Sequence, residues 1–367
     1  MSVGRRPRVV VLQKYVAPYR VSLFEAIAAI GSIDLTVLCY GVPERRRGNA
    51  VAEGTFATEH ARGISLPMGY EANVDLPFGL PRALARLAPD VVVCAPDWGG
   101  LAALRYARSN GARLVVWSEA TAITEANASR AKAALRRFLY RRAAAFLVPG
   151  ALAKNYIESL DGRAGFVEMK NTVDPAAFRV ARAVFDAKYS EEAPRTFTFS
   201  GSLVERKGVR LLLDAFVRAK ACAESAGENA VLRLAGRGPL ARELVARSDV
   251  SLLGFLTGER YRECIRGTHV LVLPSLWDCN PLVVVEALQA GASLIVSDGV
   301  GSFPETVRGN GTVVARGDID ALTDAVVATM RAPIETLAAQ GRRSLEIARE
   351  FEPACAARAF VDAVRAI

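Results

Sequence analysis

The chain has 367 residues, 51% of them hydrophobic and 23% charged, which is too much for one ordinary core and suits two soluble domains of roughly 150 to 200 residues each. No apolar stretch nears the ~18 residues that cross a bilayer, the run Val9–Leu12 is too short for a signal-peptide core, and six cysteines without a CxxC pair argue against a disulfide framework or structural zinc, so a reducing cytoplasm is expected. The net charge of +9 is concentrated in residues 1–185, where 25 Lys and Arg face 15 Asp and Glu, against 22 and 23 in the remainder; that asymmetry points to an anionic partner for the first half or to an Arg-rich soluble surface.

In chain order, RVVVL (8–12), IDLTVLC (33–39), VVVCA (91–95), RLVVW (113–117) and AFLVP (145–149) read as buried parallel strands. Between them the apolar spacing predicts helices over Tyr19–Ile30, Gly100–Asn110 and Ser129–Arg142. Mixed charge and fading periodicity place a joint near Pro175–Pro194. The grammar then repeats, with strands at 195–201, 230–236, 250–254, 269–275, 293–298 and 311–315, and helices at Gly208–Ala223, Pro239–Arg247, Gly258–Arg266, Val283–Ala290 and Ile319–Arg331. Two such series predict two doubly wound α/β domains, whose ligands sit beyond the carboxyl ends of the strands.

Those strand ends carry the candidate chemistry. After the first strand Pro18, Tyr19 and Arg20 open a helix without a GxGxxG, which disfavours a standard dinucleotide site. TFTFSG runs into SLVERKG, where Ser202 sits in a tight turn and Arg206 and Lys207 supply adjacent cations suited to a pyrophosphate. AGRGPL, with Gly236, Gly238, Pro239 and Leu240, is a second turn whose glycines admit a ligand close to the backbone. In PSLWDCNPLVVVEALQAG, Asp278 and Glu286 flank Cys279, Asn280, Pro281, Leu282 and Val283; carboxylates accept from sugar and ribose hydroxyls, and free amides at a helix start receive a hydroxyl or phosphate oxygen. For Glu286 the alternative is a helix-terminus or ion-pair role.

The order SGSLVERKG, AGRGPL, PSLWDCNPLVVVEALQAG, VSDGVGSFPETV and GNGTVVARGD resembles the retaining glycosyltransferases of family 4, and APYRVSLFEAI and NTVDPAAF (171–178) extend the likeness into the first half. The resemblance implies the GT-B architecture, two Rossmann-like domains facing across a cleft. It implies an acceptor-binding domain over 1–180, a nucleotide-sugar-binding domain over 195–350, and a final helix within 351–367 that crosses back to the first. It further implies transfer of a hexose from a UDP- or GDP-linked sugar with retention of configuration, no metal and no cofactor beyond the donor.

By carry-over Asp278 faces the donor sugar, Glu286 takes the ribose, the Asn280–Val283 backbone holds sugar and diphosphate, and Arg206 and Lys207 neutralise the leaving diphosphate. Phe255 and Leu256 are expected beside the base. Two departures stand out: Ser202 replaces a common Arg, and neither His60 nor His269 lies after the fourth N-terminal strand, where relatives often have one. Asp97 and Trp98, with Ser118 and Glu119 one strand on, are therefore expected at the acceptor or sugar, Glu119 as a helper in deprotonation. The helix 129–146 interleaves Arg130, Lys132, Arg136, Arg137, Arg141 and Arg142 with apolar residues, which suits either a solvated face on a core helix or the anionic inner face of a membrane beside a lipid-linked acceptor. Polysaccharide or glycolipid assembly is the expected setting. The rivals are a soluble acceptor such as an aminoglycoside, an epimerase of like architecture, and a nucleic-acid binder, the last disfavoured because no reading motif is visible.

Overall fold

A computed structural model describes residues 5–43, 51–68, 70–71, 73–223, 229–244 and 248–367. The chain divides into two compact units, Met1–Val173 together with Glu352–Ile367, and Asp174–Phe351. Within the first, strands β1 (Arg8–Gln13), β2 (Asp34–Cys39), β3 (Ala57–His60), β6 (Val91–Cys94), β7 (Arg113–Trp117), β8 (Ala145–Val148) and β9 (Gly165–Glu168) form a seven-stranded sheet in the order β3-β2-β1-β6-β7-β8-β9, every pair parallel. β4 (Ile64–Pro67) and β5 (Asn73–Leu76) make a separate antiparallel hairpin. Neither the hairpin nor β3 and β9 is foreseen from hydrophobic runs, because these strands are short and largely exposed.

The parallel sheet is covered on both faces, which is why its central strands are continuously apolar. Val9 and Val11 enter one core with Leu23, Phe24 and Ile27 of the helix Pro18–Ile30 and Phe360 of the helix Pro353–Arg365. Val10 and Leu12, one residue out of phase, enter the other core with Leu84, Leu104 and Leu139. The last helix thus packs on the helix that follows β1, within the same unit.

In the second unit β10 (Arg195–Ser200), β11 (Ala230–Ala235), β12 (Val250–Gly254), β13 (Val270–Leu273), β14 (Ser293–Ser297) and β15 (Gly311–Val314) are ordered β12-β11-β10-β13-β14-β15, again all parallel. In both sheets the strand order reverses about the first strand. The resulting switch points lie between β1 and β6 and between β10 and β13, where neighbouring loops leave in opposite directions and open a crevice.

Two expectations shift. The stretch expected as a joint carries the helices Pro175–Phe178 and Arg182–Lys188 and belongs to the second unit. There Phe185 and Tyr189 pack on Ile334, Leu337 and Ala338, and the buried Lys188 ammonium donates to the carbonyls of Thr268 (3.2 Å), Ala290 (2.7 Å) and Gly291 (3.1 Å). Mixed charge in the sequence hid this anchor. The helix expected over Pro239–Arg247 is a 3-10 turn over Pro239–Arg242, and residues 245–247 lie outside the described residues. One of its amides is claimed by a neighbouring loop, Leu240 N–H donating to Leu203 O at 3.1 Å, which ties the turn to that loop.

Candidate active site

The switch point of the second sheet gathers the two cations and one of the two acids. β10 ends at Ser200, and the chain then runs through Gly201 and Ser202 into the 3-10 turn Glu205–Lys207. Gly208 closes that turn at φ 66°, and a Cβ there would lie 2.3 Å from Pro274 O, so glycine alone lets the loop rest against the end of β13. The contact is fastened by Leu276 N–H donating to Arg206 O at 2.8 Å. In this frame the buried Lys207 ammonium forms an ion pair with the Asp278 carboxylate. Arg206 Nη1 stands 4.0 Å from the same oxygen, donates to Trp277 O at 3.3 Å and has its guanidinium 4.7 Å from the Trp277 ring centre. Two positive charges therefore converge on one carboxylate oxygen, in a loop that Asp278 N–H fixes by donating to Gly299 O at 2.9 Å. Gly299 and Gly301 are required here, since a Cβ would fall 2.3 Å from Ser275 O and 2.1 Å from Cys279 O respectively.

The loop after β11 lies against the one after β10. A Cβ on Gly236 would sit 1.8 Å from Gly201 O, and one on Gly238 would sit 2.3 Å from Leu203 O. Leu203 N–H donates to Arg237 O at 2.9 Å, and the Arg237 guanidinium lies 4.2 Å from the ring centre of the exposed Phe255, next to the half-buried Leu256. Ser202, the Gly236–Leu240 turn and Phe255 thus share one side of the crevice. Pro239 enters the turn at its first position, and Leu240 is buried beneath it.

Glu286 occupies a different environment from Asp278. It lies in the helix Leu282–Gln289, whose N-cap Pro281 offers no side-chain cap and whose Val283, Val284 and Val285 are buried. The Glu286 carboxylate accepts from the Tyr261 hydroxyl, which is itself 3.5 Å from Ser200 Oγ at the end of β10. Burial pushes the Glu286 carboxyl up to about 7, with the Tyr261 hydrogen bond pulling the other way. Sequence reasoning does not reach Tyr261; it sits in a strongly polar helix, Gly258–Arg266, where only its aromatic character marks it. Beside the start of the helix Leu282–Gln289, Asn280 Oδ1 is buried with no hydrogen-bond partner among the described residues, while Cys279 and Leu282 are half-buried.

The switch point of the first sheet holds a cavity of about 420 Å³, lined by Lys14 after β1, Asp97 and Trp98 after β6, Tyr40 after β2, and one face of the helix Arg130–Tyr140. Asp97 caps the helix Trp98–Asn110 by accepting from Gly100 N–H at 3.2 Å, and it accepts from the Tyr40 hydroxyl at 2.8 Å. Burial raises the Asp97 carboxyl above the usual range against those hydrogen bonds. Trp98 is 61% exposed at the rim. An aromatic plate beside a carboxylate and a cation is an arrangement suited to a polar ring with hydroxyls.

Other expected residues turn inward. Arg20 is buried: its guanidinium lies 4.0 Å from the Trp117 ring centre and donates to Glu119 at 2.8 Å, so both charges of that pair are occupied by each other. Ser118 is buried and bonded to the Tyr140 hydroxyl at 3.1 Å, Tyr19 is half-buried with its ring 5.2 Å from Arg20, and Pro18 is exposed as the first residue of its helix. These residues knit the strand end of β7 to the first helix. The basic helix also divides: Arg136 is buried and paired with Glu125 at 2.8 Å, whereas Arg130, Lys132, Arg137, Arg141 and Arg142 are exposed. Among the described residues no group of three His, Cys, Asp or Glu side chains is placed to hold a metal ion.

Known proteins match both units. The family model described as Glycosyl transferase 4-like domain covers residues 16–169, and the one described as Glycosyl transferases group 1 covers residues 194–332. The chain is 28% identical over 125 residues to an uncharacterized glycosyltransferase of Methanocaldococcus jannaschii, a match covering 32% of this chain and 30% of that relative's length. In fold it is similar to HepE of Anabaena, solved in complex with UDP and glucose (TM-score 0.74, 13% identity, 98% of this chain and 100% of that one). It is also similar to the sucrose-phosphate synthase of Thermosynechococcus elongatus (TM-score 0.75, 15% identity, 98% and 99%). At such identities the two structures speak for the fold alone.

Proposed function

The chain belongs to the family 4 glycosyltransferases and has their GT-B fold, and from that premise we propose that it moves a hexose from a nucleotide-diphosphate sugar to a sugar or lipid-linked acceptor, with retention of configuration and without a metal. The observation that carries this reading is the convergence of Arg206 and Lys207 on Asp278 at the β10/β13 switch point. The leaving group of such a transfer is a diphosphate, and its growing charge is best met by fixed cations already in place. Lys207 and Arg206 serve that charge, and Asp278, which orients both, accepts from hydroxyls of the donor sugar. Glu286 accepts from the ribose, and the Asn280–Val283 amides hold sugar and phosphate.

The Gly236–Leu240 turn with Phe255 and Leu256 frames the base. On the first unit, Asp97 and Trp98 hold the acceptor in the cavity beside the β1/β6 switch point. Glu119 is occupied by Arg20, so proton removal from the acceptor falls to the departing phosphate rather than to that carboxylate. The enzyme works on the cytoplasmic side, with the exposed cations of the helix Arg130–Tyr140 toward the anionic inner face of a membrane, in polysaccharide or glycolipid assembly.

A thermal-shift panel of UDP- and GDP-linked hexoses on wild type and Glu286→Ala tests the donor site. Stabilisation of wild type by at least one nucleotide sugar, reduced in the variant, is expected; a wild type that no nucleotide sugar stabilises would overturn the assignment. Nucleotide release that requires donor and acceptor together, with an axial product anomer from an axial donor by NMR, is the signature of retaining transfer. Inversion of that anomer would sink retention.

A further inference from the structure

The two acids that follow β13 are held by opposite means. Asp278 meets the ammonium of Lys207, so its charge is balanced inside the protein. Glu286 meets a neutral phenol, the Tyr261 hydroxyl, which donates to Oε2. A carboxylate offers about four lone-pair positions and one hydroxyl fills a single one, so the charge of Glu286 and most of its accepting capacity stay available. Keeping such a carboxylate is unfavourable: burial pushes it up to about 7 from an ordinary 4.5, and the Tyr261 hydrogen bond draws it back toward the ionised form. A cation in place of the phenol would relieve that cost and cancel the charge. A bare ring would keep the packing and leave the carboxylate unheld.

Tyr261 is itself fixed in place. Its ring packs edge-to-face on Phe178, with the ring centres 6.0 Å apart. Arg266, at the end of the same helix, donates to Ala177 O and to Glu259, each at 2.7 Å, which ties the helix Gly258–Arg266 to the helix Pro175–Phe178. The Tyr261 hydroxyl stands 3.5 Å from Ser200 Oγ, at the end of the strand that leads into the Lys207 loop. The elements packed on the helix of Glu286 bring few ionisable groups to it: Tyr261 and the Cys264 thiol from Gly258–Arg266, and Glu305 from the short helix Phe303–Thr306. Pro175–Phe178 and β14 carry no ionisable side chain, and the helix Ile334–Ala348 meets this helix at Gly291, past the carboxylate. We propose that Tyr261 is a positioning residue of the donor site, its hydroxyl holding the Glu286 carboxylate ionised and oriented so that the remaining lone pairs accept from the two ribose hydroxyls of the nucleotide. The inference rests on the reading of Glu286 as the ribose acceptor and adds the residue that readies it, by a side chain locked through packing on both sides.

The test is calorimetric titration of the full chain with UDP and GDP and with their 2′,3′-dideoxy forms, for wild type and Tyr261→Phe. Wild type should prefer the ribonucleotide it binds over the dideoxy form by ~tenfold or more, since hydroxyls bonded to a charged acceptor are lost. Tyr261→Phe should lose most of that preference while binding the dideoxy form as wild type does. The wild-type preference should also grow as pH rises through about 7, the titration of the diphosphate cancelling between the two ligands. Tyr261→Phe should move that midpoint up, because the hydrogen bond that favours the charged form is gone. Should Tyr261→Phe misfold, Tyr261→3-fluorotyrosine decides: a more acidic hydroxyl in nearly the same shape should move the midpoint down. A variant that weakens both forms by the same factor has lost packing alone and would overturn the proposal, as would a preference and a midpoint that neither substitution moves. A wild type with no preference would overturn the ribose assignment of Glu286 and this proposal with it.

Discussion

Replacing Glu286 by Gln should stabilise the protein while weakening donor binding, and the gain should depend on pH in a set direction. The folded-state carboxyl titrates at about 7 against an ordinary 4.5, chiefly because burial penalises its charged form. Between those values the folded chain holds a proton that the unfolded chain has released, so the stability owed to this group is full below 4.5 and is lost as pH rises through about 7. Each tenfold change in proton affinity between the two states is worth about 1.4 kcal/mol, so the wild type gives up on the order of 3 kcal/mol by pH 8. Gln carries no charge to desolvate and its carbonyl oxygen can still accept from Tyr261. Melting curves of both proteins at pH 4 and pH 8 should therefore diverge by ~5 to 10 °C in favour of the variant at pH 8 and nearly coincide at pH 4. The same variant should lose most of its stabilisation by a nucleotide sugar, because the amide replaces an acceptor-only carboxylate at the position proposed to hold the ribose. Parallel melting profiles at the two pH values would refute the reasoning, since they would mean that Glu286 is not charged at a cost inside the fold.

Lys207→Met keeps the apolar stem but removes the cation nearest Asp278; turnover should fall by ~10² to 10³ while equilibrium donor binding falls much less, and an unchanged turnover would remove Lys207 from the leaving-group role. His269, buried with Nδ1 accepting from Thr196 N–H at 3.2 Å and Nε2 2.5 Å from Lys188 O, is pushed down to about 4 by burial. Its unfolded form takes a proton near 6.5, so stability drains as pH falls from 6.5 to 4, and His269→Asn should lose less between pH 7 and pH 4.5 than wild type in paired denaturant titrations. Trp98→Ala should raise the acceptor KM by ~tenfold with donor affinity unchanged, and a shift in donor affinity instead would place Trp98 elsewhere in the reaction.

The parallel strands of both sheets were legible because buried parallel strands are uninterrupted apolar runs, as in VVVC and VLVL, and no tertiary contact is needed to see them. The tight loops after β10 and β11, proposed here for the donor, were legible for a related reason. Gly208, Gly236 and Gly238 stand where backbones touch, and close approach leaves only one residue type. Charge was harder. Arg206, Lys207, Arg20 and Arg136 look alike in sequence, yet the first two converge on Asp278 while the others are buried against Glu119 and Glu125, since a cation's role is set by which carboxylate the fold brings to it.

Tyr261, which partners Glu286, and Lys188, which holds the end of the same helix, came from segments whose local pattern showed a polar helix and a joint. The hairpin alternates as any amphipathic strand pair does, and alternation fixes which residues share a face but not which face meets the core. By itself the sequence determined the two doubly wound halves and the glycine-lined loops that meet at the β10/β13 switch point, because strand burial and backbone contact are imposed locally. Only the tertiary structure decided which charges meet and which side of the hairpin is outward, because a pair such as the half-buried Lys14 and the buried Asp75 forms between residues 61 positions apart in the chain.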